Sequence, residues 1–132
     1  MQIQSDPIAS EHVLFWFEQL NQPPLPNLST WWQCQTVLKE AFDNAVEYAH
    51  QDLPKETLIT IEAIRFEDRI EIRIWDYGLP FDLQQKLGEM PELEDNEADH
   101  GRGLKIMQKL SDHLSYERIN SNQNCLLIVK YY

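Results

Sequence analysis

Two short runs of strict alternation constrain this chain more than any other feature. Ile59, Ile61 and Ala63 alternate with polar neighbours, and Ile70, Ile72 and Ile74 alternate with Glu71 and Arg73. Successive side chains of a strand point to opposite faces, so each run predicts a strand that is apolar on one face. Glu67-Asp68-Arg69 between them is the size of a hairpin loop. A hairpin with one apolar face needs a second layer to cover it.

The segment before the hairpin supplies that layer. Cys34, Leu38, Ala41, Phe42, Ala45 and Ala49 recur at three and four residues, one face of a helix running to about His50. Thr30 with Gln33 three positions on reads as a capping box opening this helix, and Pro54 closes it. An earlier helix is expected from Asp6, an N-cap followed by Pro7, to about Asn21. Pro23, Pro24 and Pro26 make a stiff connector between the two. Met1–Gln4 reads as a short strand. Residues 83–99 read as an acidic loop and Leu104–His113 as a helix. Leu114–Ile119 and Cys125–Tyr131 read as strands joined by the polar turn Asn120–Asn124. The expected fold is an α/β two-layer sandwich, with helices on one face of a mostly antiparallel sheet.

At 132 residues the chain is expected to be one domain, residues 1–132, able to bury its own core. Apolar residues at 42% and charged residues at 25% exclude disorder of the whole chain. No apolar run reaches the ~20 residues that span a bilayer, and Met1–Pro7 has no signal-peptide pattern, so a cytoplasmic protein with no membrane partner is expected. The net charge of −11 repels a polyanion, so direct nucleic-acid binding is not expected. Cys34 and Cys125 read as small buried hydrophobes in a reducing compartment. Scattered His12, His100 and His113 share no metal spacing. Trp31 and Trp32 read as packing residues, an exposed one being an anchor for a partner.

Three short segments carry possible chemistry. Glu40 and Asn44 lie four apart on a strip beside the apolar helix face, a carboxylate base next to an amide oxygen suited to Mg²⁺. Alone, this pair also reads as a solvated polar face. Asp76-Tyr77-Gly78 leaves a strand into a turn, where a fixed carboxylate can accept from a ligand amine and Gly78 lets a flat base approach. Gly101-Arg102-Gly103-Leu104 opens a helix whose free backbone N–H groups and positive dipole end favour an anion. Neither a Rossmann fingerprint nor a P-loop is present.

In order, Glu40-Ala-Phe-Asp-Asn44-Ala-Val, Asp76-Tyr-Gly78-Leu-Pro80-Phe-Asp82 and Gly101-Arg-Gly-Leu-Lys-Ile-Met107 resemble the three boxes of the GHKL (Bergerat) ATP-binding fold. The closer resemblance is to bacterial anti-sigma-factor serine/threonine-protein kinases. That resemblance implies Glu40 as general base, Asn44 as ligand to Mg²⁺, and Asp76 as acceptor for the adenine amine of ATP. Gly78 would make room for the base. Gly101, Arg102, Gly103 and Leu104 would hold the phosphates at a helix start, and residues 83–100 would be the lid. It further implies two partners, a STAS-domain anti-anti-sigma protein carrying the target serine and a sigma factor, and a possible homodimer. Where family members often carry His four residues after the asparagine, this chain has Tyr48, and a His stands at 50. Glu89, Glu92, Glu94, Asp95, Glu97 and Asp99 load the lid with acid, expected to hold it open over ATP. The rival readings are a nucleotide-binding module that sequesters a partner without phosphorylating it, and the catalytic piece of a two-component histidine kinase. The latter needs a phosphoacceptor His on a dimerising helix pair, not expected before residue 29.

Overall fold

The computed structural model describes residues 1–89 and 102–132. Its elements run β1 (Gln2–Gln4), α1 (Ser10–Glu18), α2 (Leu28–Asn44), β2 (Leu58–Arg65), β3 (Arg69–Asp76), α3 (Leu83–Glu89), α4 (Arg102–Leu110), β4 (His113–Arg118) and β5 (Asn124–Tyr131). The sheet is five-stranded in the order β1-β2-β3-β5-β4, and every pairing is antiparallel.

The alternating isoleucines meet across the strands as their spacing requires. Ile61 faces Ile74, Ala63 faces Ile72, and β5 continues the rows with Leu126 opposite Ile74 and Ile128 opposite Ile72. Branched side chains pack well on a pleated surface, so these rows form the floor of the core. Onto it α2 lays Trp31, Cys34, Val37, Leu38, Ala41 and Phe42, all at most 2% exposed. Leu104 and Met107 of α4 and Leu83 and Leu87 of α3 complete that layer. Each buried branched or aromatic side chain contributes roughly 1.5–3 kcal/mol, which makes α2 the main prop of the sheet. The opposite face carries ion pairs instead: Arg73 bridges Glu71 at 2.9 Å and Glu62 at 3.4 Å, and Arg69 reaches Glu71 at 2.7 Å.

Local signals explain most helix ends and correct others. Asp6 caps as expected, accepting from Ile8 N–H, but Pro7–Ala9 form a 3₁₀ turn before α1 begins. The capping box of Thr30 and Gln33 does not open α2. Asn27, held extended after Pro26, caps it three residues earlier by accepting from Ser29 N–H at 2.9 Å. The Asn21 side chain accepts from Leu25 N–H, and Arg65 donates to the carbonyls of Leu20 and Pro23, which ties the proline connector to the sheet. Residues 83–89, expected as loop, are helical because Asp82 accepts from Gln85 N–H at 3.0 Å and caps α3. Of the acidic lid, only Glu89 belongs to a described element. Glu92, Glu94, Asp95, Glu97 and Asp99 lie outside the described residues, as do His100 and Gly101.

The helix expected to reach His50 changes character on the way. It is α-helical to Asn44, then Ala45–Ala49 form a π-helical turn closed by His50 N–H on the Ala45 carbonyl. Such a turn inserts one residue and rotates everything after it, and it occurs often at functional sites. Ala49 consequently leaves the apolar face, and His50 becomes buried at 2% exposure.

Both cysteines are free thiols. Burial pushes the Cys34 thiol up to about 11, so it is an inert packing group. Trp31 stacks on Phe17 at 4.6 Å, while Trp32 is 58% exposed. Among the described residues, no helix is long and apolar enough to cross a membrane.

Candidate functional site

Asp76 ends β3 in the middle of the sheet and is 3% exposed. A buried carboxylate is costly unless hydrogen-bonded, and this one is. Its Oδ1 accepts from Gly78 N–H at 2.9 Å, from Asn124 Nδ2 at 2.8 Å and from the Tyr116 hydroxyl at 3.1 Å. Its Oδ2 accepts from the same hydroxyl at 2.9 Å. Asn124 also donates to the Gly78 carbonyl at 2.8 Å, and Arg118 donates to that carbonyl at 3.0 Å. Burial and the adjacent Asp76 charge both push the Tyr116 phenol up, so it stays protonated as a donor.

The other side of the turn is clamped by the π-helical segment. His50 Nε2 accepts from Tyr77 N–H at 2.8 Å. Accepting at Nε2 places the proton on Nδ1, which is buried and finds no hydrogen-bond partner among the described residues. Gly78 packs directly on Ala49: a Cβ there would stand 2.4 Å from the Ala49 carbonyl oxygen. The room that Gly78 leaves is therefore taken by the Ala49 backbone.

His50 has a consequence for stability. Burial lowers its pKa below the ordinary 6.5, with Asp76 opposing in part. The folded chain thus binds fewer protons than the unfolded chain wherever pH lies between the two values. Stability is full above about pH 6.5 and declines as the pH falls below it. Melting temperatures of wild type and His50→Gln, compared between pH 7 and 5, are expected to differ in slope, the variant being flatter. Gln keeps an acceptor for Tyr77 N–H without titrating. Parallel slopes would rule out His50 as a source of acid lability.

Glu40 and Asn44 emerge from α2 on the side facing α4. Both are half-buried. The Glu40 carboxylate lies against the first turn of α4, where a Cβ on Gly103 would stand 3.0 Å from Glu40 Oε2. Asn44 and Asp76 line one small space with Phe81, Leu83, Leu104 and Tyr116. Leu104, expected beside phosphates, is 4% exposed and belongs to the core. Arg102 begins α4. Glu40, Asn44, Asp76, Gly78 and Gly103 thus gather around the junction of α2, β3 and α4.

A family model described as histidine kinase-like ATPase domain matches residues 3–130. The chain belongs to the histidine kinase-like ATPase domain family. Its α/β sandwich is the fold of that family. Among curated relatives of this ATPase-domain chain are proteins named serine-protein kinase RsbW. That of Bacillus licheniformis is 34% identical over 83 residues, 59% of this chain and 52% of the relative. That of Listeria monocytogenes serovar 1/2a is 34% identical over 81 residues, covering 58% and 51%. That of Bacillus velezensis is 29% identical over 101 residues, covering 73% and 61%. The matches span about half to three-fifths of the length of these relatives.

Three residues that sequence reasoning passed over belong to this candidate site: Tyr116, Arg118 and Asn124. A signal existed. Leu114, Tyr116 and Arg118 share one face of β4, and Asn124, Leu126 and Ile128 share one face of β5. A fully buried Asn at the head of an apolar row calls for a hydrogen-bond partner, and Asp76 sits directly opposite it in the register.

Proposed function

We propose that this chain is an ATP-dependent serine/threonine-protein kinase of the anti-sigma-factor type. The observation that carries the reading is the convergence of Glu40, Asn44 and Asp76 on the start of α4, in a chain of the histidine kinase-like ATPase family with relatives named serine-protein kinases. Asp76 Oδ2 is the acceptor for the adenine amine of ATP. The free N–H groups at the start of α4 receive the phosphates at its positive end.

Asn44 offers a hard amide oxygen beside the site, and among the described residues no group of three His, Cys, Asp or Glu holds a metal by itself. That donor set fits Mg²⁺, which keeps waters and takes phosphate oxygens with few protein ligands. When bound, the ion neutralises charge on the phosphates. Glu40 takes the proton from the target serine hydroxyl as its oxygen bonds to the γ-phosphorus. The bond from that phosphorus to the β,γ-bridging oxygen breaks, and ADP leaves. Phosphoryl transfer asks mainly for positioning, which the rigid α2 provides.

The acceptor in this reading is a serine of a STAS-domain anti-anti-sigma protein, and the sequestered partner is a sigma factor. Phosphorylation switches which of the two is held. The protein acts in the cytoplasm as a homodimer and binds no nucleic acid directly, in keeping with its −11 charge. Incubation with γ-labelled ATP, Mg²⁺ and the STAS partner is expected to label serine on the partner. Label on a histidine of this chain would instead indicate a two-component kinase. A confirmed partner that stays unlabelled would support the sequestering module.

A further inference from the structure

Among the described residues, the space that Asp76 lines with Phe81, Leu104 and Tyr116 has room for roughly one water, whereas sites for ligands of nucleotide size span several hundred Å³. A base therefore enters this space only if a lining side chain moves. Ile74, Leu83, Leu104 and Leu126 are buried in the core at 1–5% exposure, Ala41 and Ala45 are fixed in the helix backbone of α2 and its π-turn, and Asn44 is half-buried at the end of α2. Phe81 and Tyr116 are only half-buried, and their rings stack on each other at 4.6 Å and 25°. Tyr116 stands on β4, beyond which the sheet has no further strand among the described residues. Outside the helices, this aromatic pair is the part of the described lining that is not buried in the core.

The hydrogen bonds single out the same residue. Asp76 Oδ1 is engaged by Gly78, Asn124 and Tyr116, and Oδ2, the oxygen left for a base amine, is held by the Tyr116 hydroxyl at 2.9 Å. Gly78 and Asn124 are tied to backbone and sheet, so their bonds stay when a ligand enters. The Tyr116 hydroxyl sits on a side chain that rotates.

We propose that Tyr116 is a built-in competitor for the nucleobase: its hydroxyl occupies the acceptor on Asp76, and its ring, stacked on Phe81, fills the slot the base would take. Tyr116 thereby sets how readily the site accepts a nucleotide. The inference rests on the adenine reading of Asp76. Exchange is favoured because the base amine replaces the departing hydroxyl at Oδ2, leaving no buried acceptor unmade. Apparent affinity then equals the intrinsic affinity scaled by the fraction of molecules with Tyr116 swung out.

Tyr116→Phe removes the hydroxyl and keeps the ring. Mg-ATP binding measured by calorimetry is expected to tighten about tenfold in this variant, with faster association in stopped-flow mixing. Phe81→Leu loosens the stack from the other side, leaves Tyr116 in place, and is expected to shift affinity in the same direction. Melting curves without nucleotide show that both variants are folded. Measurable binding in wild type, with Tyr116→Phe equal or weaker, would make Tyr116 a fixed wall and overturn the competitor while leaving the adenine reading intact. Failure of all three proteins to bind ATP at millimolar concentration would overturn the adenine reading, and the competitor with it. Binding seen only in the variants would support both.

Discussion

Replacing Glu40 by Gln is expected to lower the rate of phosphoryl transfer to the partner serine by about 10²–10⁴, the range general-base catalysis supplies. ATP affinity should stay within a few-fold. The carboxylate stands against the first turn of α4, where Gly103 leaves just enough space for it. Gln has the same shape and fits there, so the variant tests the proton acceptor rather than the packing. It cannot take a proton from a hydroxyl at neutral pH. Single-turnover rates with labelled ATP, alongside calorimetry for ATP binding, separate the two effects. Transfer at the wild-type rate would remove Glu40 from the base role.

The second large effect is expected at Asp76. An amide there keeps one oxygen for Gly78 N–H and Asn124 Nδ2, and its nitrogen meets the Tyr116 hydroxyl, which turns to accept. The fold is therefore expected to hold in Asp76→Asn. The base amine, however, would meet a donor instead of a charged acceptor. Hydrogen bonds to charged groups contribute about 1.5–3 kcal/mol, so ATP affinity should fall roughly 10–100-fold. Equal affinities in calorimetry would show that the adenine amine does not use Asp76.

Much of this architecture was legible before the structure. The isoleucine rows of 59–63 and 70–74 dictated an antiparallel hairpin, and the three- and four-residue spacing of 34–45 dictated the helix that covers it. Those two patterns are local, and hydrophobic burial enforces them. The π-turn at 45–49 was not legible, because its cause is tertiary. Ala49 must press its carbonyl on Gly78, and His50 must reach Tyr77, and neither demand shows in the spacing of 34–49 itself. The misplaced start of α2 has a simpler origin: Thr30 and Gln33 fit a capping pattern, but Asn27 lay closer to the proline that breaks the chain.

The site divides in the same way. Glu40, Asn44, Asp76 and Gly103 stood out because each sits in a short segment with its own chemical pattern. Tyr116, Arg118 and Asn124 did not, although they hold the Asp76 turn in place. They join it from 40 to 48 residues further along the chain. Only the strand register, which aligns Asp76 with Asn124, brings them there.

That register also orders events during protein synthesis. β5 lies between β3 and β4, so the last of the five described strands to be translated is an interior strand of the sheet. Until residues 124–131 have emerged, β3 presents an unpaired edge and Asp76 lacks its Asn124 bond. Until then the nascent chain carries a sticky, unfinished sheet, the kind of exposed state that chaperones protect. Docking of a single strand then seals the sheet and completes the hydrogen bonds of Asp76 in one step, so a chain lacking residues 124–131 cannot carry a finished site.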